Sequence, residues 1–165
     1  MPIQISDFKI RLSGGSANST PGSSLGGAKS VTEAQSSTLF SQVTPAVATT
    51  GLTDYRCVYL HNASSTNAML DAKFWISTQT SSPDTSFEIG LGTSALNGTE
   101  QTIATATTTP VGVTFGVFSS EASALTLGDI PAGQHRAIWF KRIVNAGAAV
   151  FNDSVGVNAT SNTAA

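Results

Sequence analysis

Charged side chains are scarce: they make up 11 % of the 165 residues, under half of the quarter usual in soluble domains. Eight Lys and Arg stand against ten Asp and Glu, and only Lys141 and Arg142 are adjacent. A nucleic-acid surface needs clustered cations to neutralise several phosphates, so no nucleic-acid partner is expected. Long-range steering of a charged ligand is equally weak, which leaves shape, main-chain hydrogen bonds and apolar contacts for recognition. Cys57 is the single cysteine, which excludes an intrachain disulfide. No apolar run approaches the roughly 20 residues of a membrane-spanning helix, so no membrane partner is expected. Met1-Pro2-Ile3-Gln4-Ile5 lacks the basic and then apolar regions of a secretory signal. The expectation is a soluble product of the cytosol. The Asn-x-Ser/Thr triplets at Asn18, Asn62, Asn97, Asn152 and Asn158 then follow from composition alone.

What fills the space is serine and threonine, 22 of each, with fifteen glycines. Threonine suits strands and serine suits turns, a bias toward an all-β chain with many connections. Alternation supports it. Tyr55, Cys57 and Tyr59 alternate with Arg56, Val58 and Leu60. Leu70, Ala72, Phe74 and Ile76 share one face, opposite Asp71, Lys73, Trp75 and Ser77. Phe87, Ile89 and Leu91 predict a third strand, with Asn97-Gly98 as a hairpin turn. Val111, Val113, Phe115 and Val117 predict a fourth, opened by Pro110. Leu125, Leu127 and Ile130 precede a turn in which Pro131 takes the second position of type I and Gly133 the fourth. The longest strand runs from Gln134 to Val144, and the last falls within Val150 to Ala159. Turn signals every eight to twelve residues or so predict an antiparallel β-sandwich, Ig-like or jelly-roll-like, that buries one-sided strands between two sheets.

The N-terminal third reads differently. Ile3 and Ile5 share one parity and Phe8, Ile10 and Leu12 the other, which predicts two short strand pieces with a kink at Ser6-Asp7. Residues Ser13 to Lys29 carry five glycines and almost nothing large, too little to fold alone. The segment is expected to be an extended arm, ordered only where something else supplies contacts. Ser30-Val31-Thr32-Glu33 fits a capping box for a short helical turn reaching Phe40. The organisation expected is an arm over 1–44, a sandwich over 45–160 and a flexible tail over 161–165.

Chemistry is hard to find. Cys57 and His61 share a strand face about 13 Å apart, whereas zinc ligands converge at about 2.0–2.3 Å from the metal. No metal or cofactor is expected, and a Cys–His nucleophilic pair fails on the same geometry. Asp71, Asp84, Glu88, Glu100, Glu121, Asp129 and Asp153 lie mostly beside turns, as surface carboxylates do, and suggest no glycosidase pair. Gly27-Ala28-Lys29-Ser30 lacks the glycine directly before lysine that ends a phosphate loop. The expectation is no enzyme. Trp75 sits on the polar parity of its strand, either covered by a loop or the arm, or anchoring a neighbouring subunit. Trp139, apolar on both sides, is expected in the core.

Several stretches are distinctive together: Phe8-Lys9-Ile10-Arg11-Leu12-Ser13-Gly14-Gly15, Leu25-Gly26-Gly27, Tyr55-Arg56-Cys57, Glu88-Ile89-Gly90-Leu91 and Gly128-Asp129-Ile130-Pro131-Ala132-Gly133-Gln134. On these motifs the chain resembles, over nearly its whole length, a group of small virion structural proteins of tailed bacteriophages. The resemblance implies a virion component made in the host cytoplasm. Its implied place is the outer capsid surface, as a cement or decoration protein bound to the major capsid protein and to copies of itself, in a dimer or trimer. A tail, baseplate or fibre-associated role is the alternative. A carbohydrate-binding sandwich with Trp75 as stacking platform is a third reading. The partner-binding residues expected are Ile3, Ile5, Phe8, Ile10, Leu12 and Leu25 of the arm, with Trp75, Arg136, Lys141 and Arg142 of the sandwich.

Overall fold

The structure, a computed structural model, describes residues 2–34, 39–148 and 154–163. It is an all-β, sandwich-like protein whose strand pairs are antiparallel. One sheet has the order β1-β3-β8-β5, from Phe8–Leu12, Leu52–Asn62, His135–Val144 and Thr85–Leu91. The facing sheet has the order β7-β4-β9, from Leu125–Ile130, Met69–Thr78 and Gly156–Asn162. A two-stranded ribbon pairs β2, Gly26–Gly27, with β6, Glu100–Thr102. One short helix, α1 (Pro45–Thr50), precedes β3. Thr44 caps it by accepting from the Val47 N–H, Pro45 occupies its first turn, and Gly51 ends it at φ +76°.

The alternation of β3 is buried on both sides. Val58 and Leu60 join Phe74, Ile76, Ile89, Ile130, Ile138 and Phe140 in the core between the sheets. Tyr55, Cys57 and Tyr59 point the other way and form a second core with Ala137, Trp139 and Ile103. Leu25, Val113 and Phe115 pack over this second core. The four-stranded sheet is therefore the middle of three layers, and its central strands β3 and β8 are buried on both faces along most of their length. Trp139 is fully buried, as expected.

The glycine-rich N-terminal segment is extended, but it does not stand free. β1 pairs with β3 from Phe8↔Asn62 to Leu12↔Val58, and residues 13–34 fold across the second core as a strap. The chain's own body supplies the contacts that the segment cannot make alone. Ile3 and Ile5 form no strand piece. A 3-10 turn, Ile5–Asp7, leads into β1 instead. Ser30 and Glu33 make no capping box: the Ser30 hydroxyl accepts from the Thr32 N–H, and Glu33 bridges to Arg11 and pairs with Lys9. The rest of the expected turn falls partly on 35–38, outside the described residues.

Five other expectations shift. The Asn97-Gly98 turn forms, with Asn97 at φ 57°, but it joins β5 to β6, which pair with other strands, so it closes no hairpin. Residues 111–117 form no strand beyond an Ile89↔Gly116 bridge; Val111 and Val117 face solvent while Val113 and Phe115 cover the second core. At the Pro131 turn the Gln134 N–H donates to the Pro131 carbonyl at 3.0 Å, which makes Pro131 the first residue and places Gly133 third at φ +75°. Ser161 and Asn162, assigned to a tail, are the last residues of β9. In β4 a register shift at Asp71, φ 48°, turns Met69 rather than Leu70 into the core.

Candidate interaction site

The two facing sheets differ by one strand, and the deficit leaves an opening. Between the edge strands β1 and β9 runs a groove of about 430 Å³, lined by apolar side chains and by nearly as much polar surface. Ile3, Ile5, Phe8 and Ile10 form one wall, and Val157 and Ala159 of β9 the other. Leu60 and Phe74, both fully buried core residues, close its base. Asn158, Thr160 and Ser161 complete the lining, in which no charged residue takes part. Lys9 and Arg11, which alternate with the groove residues of β1, meet Glu33 at 3.1 and 3.7 Å.

Four of the ten expected contact residues therefore meet in one place: Ile3, Ile5, Phe8 and Ile10. Leu12 does not join them; it is completely buried in the main core. Leu25 is half-buried over the second core. Trp75 is half-buried opposite Asn158 on β9, beside the groove rather than in its lining. The opposite wall went unrecognised because Val157 and Ala159 sit in a Ser/Thr/Asn-rich stretch, and only the chain path brings them to Phe8.

The basic fringe is committed inside the molecule. Arg142 is 6 % exposed and grips Asp54 through two parallel hydrogen bonds of 2.9 Å, Nε to Oδ1 and Nη2 to Oδ2. Its Nη1 donates to the Ser41 carbonyl, and its guanidinium lies 4.9 Å from the Phe40 ring centre. Lys141 pairs with Glu88 at 2.9 Å, and Arg136 reaches the Ser94 carbonyl at 3.5 Å. These cations satisfy buried or half-buried acceptors, so Arg142 is corrected from a partner contact to a core ion pair.

Comparison with family models, curated proteins and solved structures returned no match. Three of the five stretches that carry the resemblance nevertheless meet in one place. The Ser13 hydroxyl donates to the Cys57 carbonyl at 2.8 Å and accepts from the Gly26 N–H at 3.1 Å. The Cys57 N–H donates to the Ser24 carbonyl at 2.8 Å, and the Tyr59 hydroxyl donates to the Gly27 carbonyl while accepting from the Glu100 N–H. Gly26 cannot carry a side chain: an added Cβ would lie 1.7 Å from the Gln101 carbonyl oxygen. Motifs 8–15, 25–27 and 55–57 thus form one latch that holds the strap to the middle sheet.

Burial shifts the titratable groups in and beside this latch, with hydrogen bonds opposing it at Glu100. Burial pushes the Cys57 thiol well up, with Glu100 adding repulsion. Glu100 is raised by burial, but hydrogen bonds from Ser94 and Thr93 outweigh it and leave its carboxyl below the ordinary value. His61 and His135, paired across β3 and β8, offer Nε2 to the Gly133 and Gly98 carbonyls. Burial lowers both imidazoles, and Lys29 lowers them further. Among the described residues, no group of three or more His, Cys, Asp or Glu is placed to hold a metal ion.

Proposed function

We propose that this chain is a non-enzymatic structural protein of a tailed-bacteriophage virion, bound to the outer surface of the assembled head as a cement or decoration protein. The observation that carries the reading is the latch: three of the five motifs behind the resemblance join strap, middle sheet and ribbon through buried hydrogen bonds. A decoration protein has to fold alone, resist rearrangement and attach in many copies to a repeating lattice. Its partners on this reading are the major capsid protein and copies of itself. Binding only to the assembled shell then stabilises that shell by mass action, and repeated weak contacts add as avidity.

The contact surface is drawn from exposed apolar groups, since the basic fringe is engaged internally. Ile5, Val31, Val111 and Val117 are the exposed large hydrophobic residues among those described. Cryo-electron microscopy of virions, with the protein labelled at residue 165, tests the assignment. Density on the head exterior at lattice positions is the expected result. Label on the tail or baseplate would replace the head reading with the tail-associated one, and absence from virions would remove both.

A further inference from the structure

We propose that the groove between β1 and β9 is a self-association site, filled by Ile5 of a second copy of this chain in a two-fold symmetric contact. Ile5 is the most exposed large hydrophobic residue among those described, at 92 %. It is presented by a fixed turn, not by a loose end. The Gln4 N–H donates to Asp7 Oδ2 at 2.8 Å, the Asp7 N–H returns to the Gln4 carbonyl at 2.9 Å, and the Phe8 N–H closes on the Ile5 carbonyl. A held, exposed isoleucine keeps little of the conformational freedom that docking would otherwise remove.

The charge pattern selects the occupant. The groove lining is uncharged, and so is the segment Pro2 to Ser6 that carries the knob. Natural edge strands discourage pairing with lysine or proline; β9, reading Gly-Val-Asn-Ala-Thr-Ser-Asn, has neither. Its outer side is also open. The Ile76 N–H turns away from β9 to the Phe118 carbonyl, so Trp75 and Lys73 face β9 and pair with Asn158 and Thr160. By alternation Val157, Ala159 and Ser161 direct their backbone groups outward, and no strand of the described residues pairs with that edge.

Geometry also selects a closed pair over a chain. Ile5 borders the same groove that would receive its counterpart. When knob and hole adjoin on one surface, a two-fold operation satisfies both at once; when they lie far apart, copies add head to tail without closing. The contact is small, so the dimer forms at high protein concentration, as on a crowded surface.

Sedimentation velocity of the full chain over a concentration series tests this. A monomer–dimer equilibrium is expected, weakened at least ten-fold by Ile5→Asp, whose site is solvent-exposed and outside the core. Ser161→Phe, which fills the groove from β9, should weaken it to a similar degree. A wild type that stays monomeric up to millimolar concentration overturns the proposal. So does an Ile5→Asp variant that dimerises like the wild type, or open-ended oligomers in place of dimers.

Discussion

Asp54 and Arg142 face each other across β3 and β8, both buried, with Arg56 4.0 Å from the same carboxylate. Removing one member of such a pair strands the other in low dielectric, which costs more than the pair contributes. Arg142→Met should therefore lose about 3–5 kcal/mol in urea unfolding. Asp54→Leu combined with Arg142→Met should recover much of that loss. The imidazoles set the acid response. In the folded protein His61 and His135 lie below the ordinary 6.5, chiefly through burial. Below pH 6.5 the unfolded chain takes up protons that the folded one refuses, so stability is full above 6.5 and declines as the pH falls toward the lowered folded values. Below 4.5, where the lowered Glu100 carboxyl is still ionised only in the folded state, the decline steepens. Melting temperature against pH should show both stages, and His135→Gln should flatten the first. An Arg142 contact surface was a reasonable expectation from Lys141-Arg142 in a strand, because alternation places the two on opposite faces without saying that both faces are covered.

At the level of elements, the strap is held by main-chain hydrogen bonds and very few large side chains. Ser13→Ala would leave the Cys57 carbonyl and the Gly26 N–H without their partner, a loss of about 1–3 kcal/mol for buried groups. Faster amide exchange across residues 24–27, together with faster reaction of the buried Cys57 with a thiol reagent, should report that loosening. Gly26→Ala should go further and detach the β2–β6 ribbon, since φ is +91° and the new Cβ would strike the Gln101 carbonyl. The strands β3, β4, β5, β7 and β8 were legible because period-two alternation is a local signal. The strap was not, because its order comes from backbone groups whose partners lie 30 to 80 positions away (Gly27 with Tyr59, Leu25 with Ile103). Likewise α1 is only six residues long, too short for an apolar stripe to declare it.

Across the whole molecule, the N-terminal third divides into two parts with different roles. Deleting residues 1–6 removes the Ile5 knob and one wall of the groove while sparing β1, and should leave the melting temperature within a few degrees of wild type. Deleting residues 1–34 removes an edge strand and the strap, which uncovers Cys57, Tyr59 and Trp139. That truncation should aggregate or melt far lower, and its thiol should react at once; a soluble, wild-type-like product would disprove the three-layer account. Half of the candidate groove was legible in the sequence, as Ile3, Ile5, Phe8 and Ile10. The half formed by Val157 and Ala159 was not, since nothing local sets β9 beside β1.

The sequence by itself determined an all-β chain without a disulfide, its main strands and a core tryptophan at 139, because alternation, turn chemistry and residue counts are local properties. Tertiary structure decided the rest. It made the four-stranded sheet a middle layer, turned a glycine-rich segment into a strap, drew Arg142 inward to Asp54, and left the smaller sheet one strand short. Those outcomes depend on which distant faces meet. Sheet pairing and burial are set by non-local contacts that no stretch of residues encodes alone.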